Sequence, residues 1–400
     1  MTVDPNYSPE AEAYREKVAA FLAEHLPPDW KGIGALDPDE AEAFSRQWHN
    51  VLYEEGLLAP MWPKEYGGAS LTQLEYVVLA EEMARAGVPS GGGQGIGMLA
   101  NTLLHWGTEE QKRHYLPRIL SGEDRWCQGY SEPGAGSDLG GLSTRATLDG
   151  DEWVINGQKI WTSGAFNANW IFVLTRTDTE APKHKGITFL LVPMEQPGIE
   201  IRRIPMMNYG AEFCETFFTD ARTPKGNVVG EVNNGWAVAM TLLGFERGAA
   251  AAITPISYRI ELDRLVQLAK ETGRNTDPVI RQRLAACHAK VEIMRYLGKR
   301  TLTRYLAGEE PGPQSSIFKL YWSQYHQEVA ELAVDILGAE AMTPEGRWRT
   351  SPFGTAGTGA PNDSASWVST MFASRAGTIY AGTSEIQRNI VGERVLGLPR

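Results

Sequence analysis

The hydrophobic period of this chain changes twice along its length, which excludes a purely helical bundle and a purely β sandwich. Up to residue 122, apolar residues recur at helical spacing. From 123 to 232 they fall in short β-branched and aromatic runs, and from 233 onward the helical spacing returns. We therefore expect an α+β protein in three parts. These are an N-terminal all-α domain (1–122), a middle antiparallel β domain (123–232) and a C-terminal four-helix bundle (233–400).

Local signals support each part. Ser8-Pro9-Glu10, Asp37-Pro38-Asp39-Glu40 and Thr108-Glu109-Glu110-Gln111 are helix starts, with capping side chains and early acids. Apolar stripes follow the first two, at Tyr14, Val18, Phe21 and Leu22, then at Phe44, Trp48, Val51 and Leu52. Leu74–Ala86 reads as a helix stopped by Gly87, and Ile96–Trp106 as another. The expected strands are Trp126–Tyr130, Ser143–Leu148, Trp153–Ile155, Trp170–Arg176, Gly186–Val192, Ile199–Ile204 and Glu215–Phe218. Asp149-Gly150 is a hairpin turn. The bundle helices are expected at Trp236–Leu268, Pro278–Leu306, Ser315–Leu337 and Met371–Leu396. Residues 343–366, rich in Gly, Ser, Thr, Pro and Asp, read as a mobile loop, with a cap over a site as the other reading.

Composition narrows the function classes. A net charge of −11 argues against nucleic acid as the main partner. No apolar run is long enough to span a bilayer, and residues 1–10 are polar and lack the charged-then-apolar pattern of a leader, so neither a membrane span nor a leader is expected. Three scattered cysteines, Cys127, Cys214 and Cys287, suit a reducing, cytoplasmic setting. The histidines show no metal-ligand spacing, so no metal site is expected.

Four stretches carry candidate chemistry. The run Gln128-Gly129-Tyr130-Ser131-Glu132-Pro133-Gly134-Ala135-Gly136-Ser137-Asp138 offers backbone N–H groups and hydroxyls to an anion such as a pyrophosphate, though a tight turn needs some of the same residues. Lys159-Ile160-Trp161-Thr162-Ser163-Gly164 sets an aromatic wall beside hydroxyls, which suits a flat heteroaromatic ring; a core tryptophan is the alternative. Glu246, followed by Arg247, lies among Leu242, Leu243, Phe245 and Ala249–Ala252, and an apolar setting raises a carboxyl towards the range of a useful base. A structural Glu–Arg pair is the other reading. Thr378–Arg388 looks like a tight turn opening a helix, with Gly382 allowing close approach and Thr383 or Ser384 as cap.

Together these stretches resemble the acyl-CoA dehydrogenase family. The likeness extends over nearly the whole chain and includes the loop Met61–Gly68 and the turn Asn234-Gly235-Trp236. The resemblance implies a FAD-dependent enzyme that converts an acyl-CoA thioester to the trans-2-enoyl-CoA and hands electrons to an electron-transfer flavoprotein, as a homo- or hetero-tetramer. It places the flavin against Gln128, Tyr130, Ser131, Gly136, Ser137, Trp161, Ser163, Gly338, Thr383 and Glu385. It places the thioester against Ser137, Arg247, Tyr380 and Gly382, with the Ala381 N–H on the thioester oxygen.

The chain departs from the family pattern in three places. Many members carry the catalytic glutamate where this chain has Ala381. Members similar to the isovaleryl- and long-chain types keep it on the bundle helix, which implies Glu246 as base. The R-x-x-F-G stretch expected near Arg274–Arg281 lacks Phe-Gly, and of Q-x-x-G-G-x-G only Gly338 matches. Those losses touch the half of the flavin site that a neighbouring subunit completes. Two alternatives stay open: an oxidase or monooxygenase of the same fold, and a structural subunit of a mixed oligomer. The pairing of Ala381 with Glu246 resembles members that take branched or bulky acyl groups, including steroid side chains.

Overall fold

The computed structural model describes residues 8–89, 91–245, 250–307, 312–313 and 315–399. Helix α1 (Pro9–His25) opens where Ser8 Oγ accepts from the Ala11 N–H. In front of α2 (Pro38–Glu54), the Asp37 N–H donates to Glu40. Thr72 and Glu75 cap each other at α3 (Gln73–Ala86), which stops at Gly87 in the left-handed region. Then come α4 (Asn101–Trp106) and α5 (Glu109–Ser121), the second capped reciprocally by Thr108 and Gln111.

The strands are β1 (Trp126–Gly129), β2 (Arg145–Asp149), β3 (Glu152–Ile160), β4 (Trp170–Arg176), β5 (Ile187–Pro193), β6 (Ile199–Arg203) and β7 (Cys214–Pro224). They form one sheet in the order β1-β4-β2-β3-β7-β6, with β5 also on β4. The expected antiparallel pairing is found for β2–β3, β3–β7, β6–β7 and β4–β5, but β1 runs parallel to β4. The reason is the connection. A tight turn forces antiparallel neighbours, whereas the chain between β1 and β4 passes through the whole β2–β3 hairpin and is long enough to return in the same direction. The core of the sheet gathers Cys127, Ile155, Ile171, Val173, Leu190, Val192 and Phe218.

Helices α6 (Gly235–Phe245), α7 (Ala250–Glu271), α8 (Pro278–Leu306), α9 (Ser315–Leu337), α10 (Ser364–Gly377) and α11 (Ser384–Ile390) complete the chain. A Cβ at Gly235 would sit 2.5 Å from the Phe189 nitrogen, so only glycine lets α6 start this close to β5. The single segment expected over Met371–Leu396 is corrected to two helices. Asp363 accepts from the Ser366 N–H and starts α10 early, and the chain then leaves helical geometry at Thr378 and resumes it at Ser384. No described helix is long and apolar enough to cross a membrane.

The chain packs as two compact units. One contains Met1–Glu55, Ser70–Gly91 and Arg247–Arg400; the other contains Gly56–Ala69 and Gly92–Glu246. In the first, Tyr258, Leu262, Leu265, Val291, Val329, Leu332 and Trp367 interlock α7, α8, α9 and α10. In the second, α6 lies on the sheet and the Trp106 Nε1–H donates to Thr241 Oγ1 at 3.1 Å.

The stretch 343–366, expected to be mobile, is tied down within the first unit. Arg347 donates to the carbonyls of Gly34 (2.9 Å) and Leu36 (2.6 Å) and pairs with Asp37 at 2.7 Å, while the Gly34 N–H donates to the Thr358 oxygen at 2.9 Å. A guanidinium fork can meet several carbonyls at once, and charged hydrogen bonds of this kind contribute about 1.5–3 kcal/mol. Arg347→Ala is expected to lower unfolding free energy by about 2 kcal/mol and to speed protease cleavage within 343–363. Urea unfolding together with timed proteolysis checks both.

Candidate active site

In the sheet-bearing unit, the residues after β1 are organised around Glu132. Its carboxylate accepts from the Ser143 N–H (2.7 Å), Ser143 Oγ (2.8 Å), the Thr144 N–H (2.9 Å) and Lys159 Nζ (2.8 Å). Lys159, wholly buried, also donates to the Tyr130 oxygen at 3.1 Å, and the Ile160 N–H donates to the Ser131 oxygen. Burial pushes the Glu132 carboxyl up, but the Lys159 ammonium and the surrounding donors win and hold it down to about 2. One of the loop's two acids is therefore a buried anchor. The other, Asp138, is exposed and pairs with Lys183.

Glu132 and Ala135 exchange backbone hydrogen bonds, which folds Pro133-Gly134 into a tight turn. Among the described residues, the N–H groups of Gly134, Gly136 and Ser137 meet no acceptor, and a Cβ on either glycine would meet nothing. The buried amide nitrogen of Gln128 has no partner. Trp161 stands 52% exposed, at φ +63°, with Phe213 edge-on at 5.6 Å. A bulky residue held in the left-handed region and turned outward is strained, and such strain persists where the surroundings over-determine it. Here Thr162 supplies the restraint: its N–H and its hydroxyl both donate to the Cys214 oxygen at 3.0 Å. An exposed indole, an orphaned buried amide and unengaged loop N–H groups fit a flat heteroaromatic ring with an anionic tail, as a flavin dinucleotide has.

In the helical unit, the turn after α10 is the second feature. Ala381 at φ +52° and Gly382 at φ +86° are successive left-handed residues. The backbone angle at Gly382 favours glycine, and a Cβ there would lie 2.5 Å from Gln387 Nε2 and push that amide aside. Gln387 Nε2 donates to the Ala381 oxygen at 2.9 Å, and Lys319 Nζ on α9 donates to the Gly382 oxygen at 2.7 Å. The Tyr380 ring lies edge-on to Phe353 at 5.5 Å and tilted against Trp322 at 6.3 Å. Among the described residues the Ala381 N–H meets no acceptor. Thr383 caps α11 by accepting from the Ile386 N–H, while Glu385 is exposed and pairs with Arg388 at 3.3 Å. Gly338, at φ +58°, ends α9. Glu246 and Arg247 lie outside the described residues.

These features agree with what sequence comparison finds. The chain matches the acyl-CoA dehydrogenase N-terminal domain over residues 8–123, the middle domain over 127–221 and the C-terminal domain over 233–396. The chain belongs to the acyl-CoA dehydrogenase family. It is thus an enzyme of that class with its α+β fold, as the sequence motifs led us to expect. Acyl-CoA dehydrogenase IpdE1 of Mycobacterium tuberculosis is 43% identical over 98% of both chains. Two solved structures are similar over the full length of both chains. One, the Tcur3481-Tcur3483 steroid ACAD, has a TM-score of 0.79 at 34% identity. The other, the ChsE4-ChsE5 complex from Mycobacterium tuberculosis, has a TM-score of 0.79 at 30% identity.

Motif reading missed three members of these arrangements: Lys319, Gln387 and the inward role of Glu132. Gln387 lies in the Thr378–Arg388 run, but its burial, 1% exposed, shows only in the structure. Lys319 left none, because its partner is a backbone oxygen some sixty residues away in sequence.

Proposed function

We propose that this chain catalyses the α,β-dehydrogenation of an acyl-CoA thioester with FAD as its cofactor and an electron-transfer flavoprotein as the acceptor of its electrons. The observation that carries the reading is the turn at Ala381, a strained donor with an unengaged N–H and the two following carbonyls tied elsewhere. In that reading the Ala381 N–H donates to the thioester oxygen, so negative charge building there is stabilised by a preset dipole. An alanine serves as well as any residue, because the donor is backbone. Glu246 takes the α proton as general base. Bound, the flavin supplies the hydride acceptor. Gln128, Tyr130, Ser131, Gly136 and Ser137 hold its polar tail, and Trp161 and Ser163 flank its ring system. Arg247, Tyr380 and Gly382 contact the thioester.

For the acyl group we propose a bulky one, of the steroid-derived kind. The absence of an acid at Ala381 favours it, and one similar solved structure is described as a steroid enzyme. A second reading concerns assembly. The stretch at 274–281 and the single Gly338 depart from the family's cross-subunit flavin contacts, and both structural relatives named above are described by two proteins each. We infer a mixed oligomer in which a different chain completes the flavin site.

An anaerobic titration tests the function. Acyl-CoA thioesters of graded bulk are added to the purified protein, with and without a co-expressed partner chain, and flavin absorbance is followed. Bleaching by the bulky thioesters is expected. No bleaching by any thioester sinks the proposal, and rapid recolouring in air without an added acceptor favours the oxidase reading. Flavin retained by the chain alone sinks the mixed assembly.

A further inference from the structure

We propose that Lys319 is a positioning residue that sets the aim of the Ala381 donor. The inference rests on the thioester reading given above.

In a trans peptide the C=O and N–H point in opposite directions, so tying one fixes the other. Gln387 ties the Ala381 oxygen at 2.9 Å and reaches the Gly382 oxygen at 3.4 Å, where Lys319 makes the shorter bond at 2.7 Å. The two planes after Ala381 are therefore held, which fixes the torsions of Gly382; the Ala381 N–H lies in the plane before them, so its aim is set only where the entry side of the turn is held as well. A non-glycine residue at φ +52° is disfavoured and relaxes to negative φ unless it is restrained. Relaxation swings the Ala381 N–H relative to everything that follows it.

Helix α9 is the rail on which the turn is mounted. Lys319 grips the Gly382 oxygen. Trp322, three residues on, lies against the Tyr380 ring and against Gly377, where a Cβ would touch its ring at 3.2 Å. Gln327 Nε2 donates to Thr378 Oγ1 at 3.1 Å. These three residues face the turn at helical spacing along α9, so the turn is fixed at its entry, its middle and its exit. Lys319 bears a cost for its place. Half-buried, it is pulled down to about 8 by desolvation, which the nearby Glu385 only partly opposes. A lysine that served only solubility would keep its ammonium in water.

The test uses the flavin-loaded enzyme as purified, with any partner chain it carries. The probe is a non-oxidisable 3-thia-acyl-CoA carrying ¹³C at the thioester carbonyl, and the readout is the infrared carbonyl band. In the wild type, binding lowers the band frequency. In Lys319→Met, which keeps the aliphatic stem, we expect at least half of that shift to be lost. We also expect kcat to fall roughly 10- to 100-fold, less than outright loss of a donor, with KM and flavin content little changed. Lys319→Arg is expected to restore most of the shift and of kcat, which a merely structural contact elsewhere on α9 would not require. If Lys319→Met fails to fold, Lys319→Gln, too short to reach Gly382, carries the same expectation. A wild-type band and kcat in the folded variant overturn the role of Lys319 alone. The absence of any band shift in the wild type overturns the thioester reading and this inference with it.

Discussion

Replacing Glu246 by glutamine is expected to lower turnover roughly 100- to 10,000-fold, the usual weight of a positioned base. Flavin and thioester binding should persist, because the amide keeps the size of the side chain and loses only its proton affinity. If the carboxylate acts in the transition state alone, kcat and kcat/KM fall together and KM holds. Stopped-flow reduction of the flavin by substrate, compared with binding of the non-oxidisable thioester, separates the two effects. Turnover like that of the wild type would reassign the base, and the obvious substitute is a poor one. The Glu385 carboxylate is exposed, and its own backbone N–H and the Thr383 hydroxyl hold it below the usual carboxylate range, so it binds a proton weakly. Glu246 follows Leu242, Leu243 and Phe245 in the sequence, and the proposed function assigns the base to it.

The parts of this molecule that were legible in the sequence are those whose causes are local. Ser8, Thr72 and Thr108 cap helices through partners three residues away, and the spacing is visible in the chain itself. Strand β4 was found at its observed bounds because Ile171, Phe172, Val173 and Leu174 are buried on both faces, which demands a continuous apolar run. What stayed hidden depends on partners distant in sequence. The parallel pairing of β1 with β4 is a property of the intervening connection, not of either strand. Arg347 looked like one more charge in a polar loop until its acceptors appeared at Gly34 and Leu36. The turn at Ala381 was readable as a turn, since Gly382 and Thr383 announce it. That Lys319 holds it was not, because a backbone oxygen has no signature as an acceptor. The inward role of Glu132 was hidden for the same reason, because its partners Ser143, Thr144 and Lys159 lie beyond the loop.

Glu132→Gln is expected to destabilise the protein by about 3–5 kcal/mol, the range for removing one partner of a buried ion pair. The loss exceeds that of one ordinary hydrogen bond because Lys159, with its side chain fully buried, would be left as an ammonium without a counter-charge. The loop that Glu132 pins to Ser143 and Thr144 would loosen with it, so bound flavin should fall as stability falls. The pH dependence identifies the cause. In the folded state Glu132 is held near 2, below its usual 4.5, so its contribution is complete above about pH 4.5 and is lost as the pH falls towards 2. Glutamine abolishes that acid limb. Lys159 behaves in the opposite sense: burial draws it to about 8 against its usual 10.5, although Glu132 pulls the other way. The folded state therefore sheds this proton before the unfolded chain does, and stability gains from Lys159 as the pH rises through 8. Without Glu132 the ammonium is less favoured still, so the variant should begin to recover at a lower pH than the wild type gains. Urea unfolding at pH 3, 5, 7 and 9 reads both limbs. Adding Lys159→Met to the variant removes the stranded charge and should return much of the lost stability, because an apolar side chain of similar length can fill the same space. A single variant within about 1 kcal/mol of the wild type, or a double variant no better than the single, would show that the pair does not anchor this loop.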